Sequence, residues 1–446
     1  MDRVVRAWFW LRPCCSVGQA ILPAAGIPAG HLQAAWKGGC RQKCRPPICW
    51  MMPFLICGLP GQDFTQRGFV QTGLTLYPET APNDSGHAVG DALFRYQASY
   101  KVRPWLRISG ALDAAFDTHQ QVERSAHLDW QDRSLQRPLL SLRELNATIS
   151  KGKLTAEFGK QFIRWGKADL LNPTDRFAPK DFLSVTDPGF LAVTAARVIY
   201  DTGVDSFDLV WQPRFTPSRT PLLDQRWTVL PESLDNVSLH DLGSVFPGRS
   251  SFGARWNHVG SGYELSASFY DGFNSLPVFQ AYTNDDFRRL YPALRLYGVD
   301  AAVPLPWFTV KTEAAYYTSP DKQQDEYVIY VVQLERQIKE FAIVVGYAGD
   351  AVTAYTPGLQ FSPELGFARA VLAHAQYTID STRSVAMDAA VRQNGDGSWL
   401  RTVYSESVGQ HWRVTVGFTW IRGEPSDFLG EYHRNSYALL ALRYSF

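Results

Sequence analysis

Charged side chains in this sequence recur at every second position of apolar runs. Arg95 and Lys101 fall between Phe94, Tyr96, Tyr100 and Val102, and Arg107 and Asp113 between Leu106, Ile108, Leu112 and Ala114. Asp208 separates Phe207 from Leu209, Glu264 separates Tyr263 from Leu265, Arg413 separates Trp412 from Val414, and Arg443 separates Leu442 from Tyr444. The same alternation puts Glu144, Glu157, Arg197, Arg255, Glu313 and Asp388 on polar faces. Successive side chains of an extended strand point to opposite faces, so each segment is apolar on one side and charged on the other. Two kinds of chemistry suit such a face. Oppositely charged neighbours on adjacent strands can pair, each pair contributing little, or the arginines can form a ladder that selects permeant anions. The sequence does not order these residues around a lumen, so both readings stand.

A second concentration of charge runs from Arg164 to Asp181, rich in turn residues. Folded inward, it would form a constriction lined by Arg164, Lys167, Asp169, Asp175, Arg176 and Lys180. Left outside, it would be a solvated loop capped by its own Asp and Asn side chains. Its Trp-Gly…Asn-Pro-x-Asp order resembles a segment found in porin-like barrel proteins.

Catalytic motifs are missing. Neither Gly-x-Ser-x-Gly nor His-Glu-x-x-His occurs, and the nine histidines are scattered, with His374 and His411 expected on inner, polar faces. There is no Gly-rich phosphate loop. Cys40, Cys44 and Cys49 lack the histidine or Cys-x-x-Cys partners of a zinc site. Neither a metal nor a cofactor is expected, nor an enzyme, although a hydrolase built from barrel-wall Ser, His or Asp residues needs no linear motif.

The elements that must position the charges are strands of about ten residues, the length that crosses an outer membrane when tilted. In Gln410 to Arg422 the apolar face reads Trp412, Val414, Val416, Phe418, Trp420, with an indole at each end. A membrane has two interfaces for such a pair of indoles. The last segment repeats the pattern, with Ala438, Leu440, Leu442, Tyr444 and Phe446 on one face and Arg443 and Ser445 on the other. An aromatic last residue preceded by alternating apolar positions resembles the closing strand of bacterial outer-membrane β-barrel proteins. That resemblance implies barrel-assembly machinery as a partner that reads the strand ending at Phe446.

About 18 such segments can be laid end to end, from 67–77 to 434–446, and losing one hairpin would give 16. Tight junctions such as Lys151-Gly152 and Pro304-Leu-Pro306 alternate with long ones such as 118–138, 163–190, 214–249 and 272–292. The expected fold is all-β: a single closed antiparallel transmembrane barrel with short periplasmic turns and long extracellular loops. In hydrocarbon, closure is what satisfies every backbone amide of a sheet.

The chain has 446 residues with 45% apolar and 13% aromatic content, and no apolar run long enough for a membrane helix. Residues 1–62 stand apart. They hold all six cysteines and seven basic residues against Asp2, and within them Arg41, Lys43, Arg45, the apolar stretch Ile48 to Leu59 and Gly58 to Gln62 read as a signal peptide over about 41–62, with the upstream residues a mis-assigned start. The barrel then occupies 63–446, with 37 basic and 42 acidic residues and a net charge of −5, which does not suggest nucleic-acid binding. A plug domain ahead of the first strand is absent. The porin-like resemblance implies a bacterial outer-membrane channel for passive diffusion of small solutes, surrounded by lipid and lipopolysaccharide, with homo-oligomerisation left open. Two other functions fit the same fold: an occluded barrel that displays its loops as an adhesin or assembly module, and an outer-membrane hydrolase.

Overall fold

The alternating segments form eighteen long antiparallel strands in a computed structural model that describes residues 63–229, 239–283 and 285–446. The targeting segment expected over 1–62 lies outside the described residues. The strands are β1 (Phe64–Leu76), β2 (Ala88–Arg103), β3 (Leu106–Asp117), β4 (Leu140–Lys151), β5 (Leu154–Gln161), β6 (Val193–Asp201), β7 (Asp205–Gln212), β8 (Ser251–Gly260) and β9 (Tyr263–Phe273). They continue as β10 (Ala293–Pro304), β11 (Thr309–Thr318), β12 (Glu326–Ile338), β13 (Phe341–Ala354), β14 (Ala370–Thr378), β15 (Arg383–Arg392), β16 (Gly397–Val408), β17 (Trp412–Gly423) and β18 (Tyr437–Ser445).

Each strand pairs with the next in sequence, and β18 returns to β1 with a register running from Phe69 opposite Ser445 to Leu76 opposite Ala438. The sheet therefore has no free edge, which is how a barrel satisfies its backbone in an apolar surround. Of the two counts the alternation allows, about eighteen and sixteen, the structure has eighteen. β13 outruns its apolar alternation, which ends near Ala348, because Gly349, Asp350 and Thr353 interrupt the period while the ladder to β12 continues.

The outward face is apolar. Phe207, Leu209 and Trp211 on β7, Trp412, Val416, Phe418 and Trp420 on β17, and Leu440, Leu442, Tyr444 and Phe446 at the closing strand are all exposed there. Connections at one end are tight, several turning through residues at positive φ such as Gly152, Gly203, Gly262 and Gly409. At the other end they are long and form a small four-stranded sheet from His240–Val245, Val278–Ala281, Asp286–Leu290 and Leu359–Gln360, with a helical turn α1 at Pro363–Gly366. The buried hydrophobic cluster of the molecule lies inside the barrel. Trp165, Phe177, Tyr270, Tyr317, Tyr327 and Trp399 belong to it, and the first two come from the loop between β5 and β6.

Candidate functional site: an inward loop facing a basic wall

The loop after β5 carries its own hydrophobic anchors. Ile163, Trp165, Leu171, Phe177, Leu183 and Val185 are all buried, which a solvated loop could not achieve. Trp165 meets Phe177 edge to face at 5.2 Å, and Phe177 meets Tyr270 of β9 at 5.1 Å. The Trp165 indole N–H donates to Asp208 of β7 at 2.9 Å. Gly253 of β8 makes the room: a Cβ there would collide with the rings of Phe177 and Trp165.

The charges of the loop are matched by the wall it lies on. Glu313 of β11 accepts from the backbone N–H groups of Lys167 (3.0 Å), Ala168 (3.1 Å) and Thr174 (2.8 Å) and from the Thr174 hydroxyl (2.8 Å). Gly166 has φ of 97°, and a Cβ on it would stand 2.5 Å from the Glu313 carboxylate. The Trp-Gly pair is thus a backbone requirement: tryptophan anchors and glycine lets the chain close on the carboxylate. Lys167 donates to Asn257 (2.5 Å) and Ser266 (2.9 Å) and lies 3.3 Å from both Glu264 and Asp300. Asp169 takes Lys311 at 2.7 Å and Gln333 at 2.7 Å. Within the loop, Asp175 binds the guanidinium of Arg164 and the N–H of Trp165, closing the Asn-Pro-x-Asp end back on the Trp-Gly start.

Arg176 reaches Glu364 of α1 through two hydrogen bonds of 2.8 and 2.9 Å, and Lys180 stands 3.6 Å from the same carboxylate. Burial pushes the Lys180 ammonium below its ordinary pKa, with Glu364 opposing that shift. Burial would raise Glu364, yet Arg176 and Lys180 together hold it below the usual carboxylate range.

Two neighbouring loops lock onto the first. Asp132, from the β3–β4 connection, pairs with Lys160 (2.5 Å) and Arg219 (2.9 Å), and Asp181 pairs with Arg137 (2.8 Å) and Arg219 (3.2 Å). Burial opposes ionisation of Asp181, but its two guanidinium partners outweigh it and depress its pKa.

Across the lumen from this docked loop stands a basic wall on β1 to β4, β17 and β18. Arg95 forms a two-point pair with Asp113 (2.7 and 2.8 Å), while Arg143 is 3.7 Å from that same carboxylate. Arg443 donates to Gln71 at 2.9 Å and lies opposite Arg413 in the ladder. Lys101 faces Arg107 across β2 and β3 near the tight-turn end, both exposed. On the docked side, Arg197 joins Asp208 (2.7 Å) and Glu157 (3.4 Å), and Arg255 joins Asp300 (2.9 Å).

Sequence reasoning missed Arg67, Phe69, Gln71 and Arg143 on the basic wall and Asn257, Ser266, Asp300, Lys311 and Gln333 beneath the loop. Asp300 and Lys311 sit in clean alternating strands and were legible there. The uncharged partners gave no signal. His411, expected on the inner face, instead lies in the tight turn between β16's end and Trp412, where its Nδ1 bonds Ser445 O at 2.7 Å. The turn takes three residues from the strand, so the alternation does not extend to it.

By sequence the chain matches no known family description and no curated protein. By structure it is similar to OccAB4 of Acinetobacter baumannii, with 9% identity over 87% of this chain and 100% of that one, at a TM-score of 0.52. The likeness is one of fold. Engineered variants of the Rhodopseudomonas blastica porin align over 86% of this chain and 100% of theirs, with 12% identity and a TM-score of 0.40.

Proposed function

We propose that this chain is a porin-like channel of a bacterial outer membrane, through which small hydrophilic solutes diffuse passively with a preference for anions. One observation supports the reading above others. The inward loop packs against β7 to β12, and the antipodal strands keep partly exposed Arg95, Arg143, Arg413 and Arg443 with exposed Arg67 on their inner faces. A loop that fills much of the barrel from β7 round to Arg401 of β16, leaving a row of guanidinium groups opposite it, is an arrangement that restricts size and attracts negative charge. The measurement is conductance of the refolded chain in planar bilayers under a salt gradient, with solute flux into liposomes. Absence of both channel events and flux would sink the proposal.

The interlocked loops favour a second reading. The ion pairs through Asp132, Arg219 and Asp181 tie three connections together over the lumen, which suits an occluded barrel that presents its loops outward. Deleting 163–190 should then raise conductance from nothing, whereas in the channel reading it enlarges a conductance already present.

A further inference from the structure

Between the inward loop and the inner face of β14 to β16 lies a cavity of about 70 Å³. Its wall is mainly apolar, with Leu171, Phe182 and Val185 from the loop, Phe367 beyond α1, and Leu372 and Trp399 from the barrel. Such a lining is out of place in a water-filled passage, where an apolar hollow gains nothing from solvent.

The polar groups at its margin are unevenly satisfied. Each carboxylate is already engaged: Asp169 with Lys311 and Gln333, Glu364 with both nitrogen contacts of Arg176, and Asp388 with His374 at 2.6 Å. The donors are not. Trp399 is only 5% exposed, and its indole N–H finds no hydrogen-bond partner among the described residues. His374 donates from Nδ1 to Asp388, which leaves its buried Nε2 as an acceptor, and that nitrogen has no partner among the described residues. The Lys180 ammonium is paired with Glu364 at 3.6 Å, but it shares that carboxylate with Arg176, so two cations meet one anion there, and its side chain keeps 17% exposure. Indole and ammonium are donors without acceptor capacity, so a molecule that satisfies them supplies an acceptor, and the ammonium favours a negative one.

We propose that this cavity binds a short-chain aliphatic anion, its hydrocarbon among Leu171, Phe182, Val185, Phe367 and Leu372 and its acidic head on the Lys180 ammonium and the Trp399 N–H. Size sets the chain length. A closed cavity of about 150 Å³ accommodates benzene; at about 70 Å³ this one takes only the two or three methylene groups of the ligand's tail, with the acidic head left at its margin, and it excludes an aromatic ring. As a stage in solute passage the site rests on the channel reading, but binding itself does not require conduction.

The test is titration of the full refolded chain in detergent with sodium butanoate, propane-1-sulfonate, benzoate and butylammonium, followed by calorimetry and saturation-transfer NMR. Butanoate and propanesulfonate should bind saturably; benzoate and butylammonium should bind at least tenfold more weakly, a difference of about 1.4 kcal/mol. Ala390 is fully buried in the cavity wall, so Ala390→Leu fills the hollow and should abolish butanoate binding. Trp399→Phe keeps the ring, removes the donor, and should weaken binding about tenfold. Retained heat-modifiable mobility on gels shows that both variants fold. Equal binding of butylammonium and butanoate, no saturable binding to the folded parent, or undiminished affinity in the two folded variants overturns the proposal. A folded chain that binds butanoate yet carries no current refutes the channel and keeps the site; one that conducts without binding does the reverse.

Discussion

Arg443 of the last strand stands 4.2 Å over the ring of Phe69 on the first, and Arg95 approaches the same ring at 5.4 Å. The ring is the apolar floor that lets two guanidinium groups sit side by side across the closing seam, each attracted by the π face. Phe69→Ala removes that floor and Phe69→Tyr keeps it. Each contact is worth about 0.5–2 kcal/mol, so the alanine variant should unfold several degrees lower in a gel-mobility assay while the tyrosine variant matches the parent. Equal midpoints for all three would show that the ring does not support the seam.

Glu313 gathers four donors of the loop, which makes it the residue whose loss most directly releases that loop. Glu313→Ala leaves buried N–H groups unpaired, at a cost of about 1–3 kcal/mol for each group left unsatisfied. The expected outcome is larger and noisier single-channel conductance, with new tryptic cleavage near Lys167 and Lys180. A loop that stays protected from trypsin in this variant would mean that hydrophobic anchoring alone holds it.

Gly166→Ala attacks the same contact from the other side. An L side chain at φ of 97° is strained, and its Cβ would meet the Glu313 oxygens. The variant should reproduce the phenotype of Glu313→Ala, and the double variant should add little to either, since both remove one interaction. Full additivity would separate the two residues.

Acid should loosen the loop through Asp181 and Glu364. Both carboxyl groups have native pKa values below their ordinary ones, so at these two sites the docked loop binds fewer protons than a released one. Its docking is therefore fully supported above about pH 5 and weakens as pH falls through about 4 and lower. Protease protection of the loop should decline as pH falls below about 4 through these two groups. Protection that fades already between pH 7 and 6 would point to a different titrating group.

Replacing Arg95, Arg143 and Arg443 singly by glutamine should move the reversal potential under a salt gradient toward cations in each case. The shift should shrink at high salt, because exposed charges are screened within about 10 Å at 0.1 M. Selectivity unaltered in all three variants would remove the basic wall from the permeation path.

Alternation in single segments was enough to determine the strands. Trp412 to Trp420 and Ala438 to Phe446 name their lipid-compatible faces without any neighbour, because a period of two is a property of the extended backbone itself. The tight and long junctions then settled hairpin order, and an antiparallel barrel of eighteen strands has little topological freedom left. Burial of the Arg164 to Asp181 loop was beyond that reach. Its charges and turns suit solvent as well as an interior, and what selects the interior is the set of partners that closure brings beneath it: Glu313, Gln333, Lys311 and the space over Gly253. Likewise the arginines were legible as a polar face, but which met a carboxylate and which kept exposure was decided by register across the seam and by the wall the loop covered. Pairing of that kind depends on residues as far apart as Gln71 and Arg443, and only the closed barrel sets them side by side.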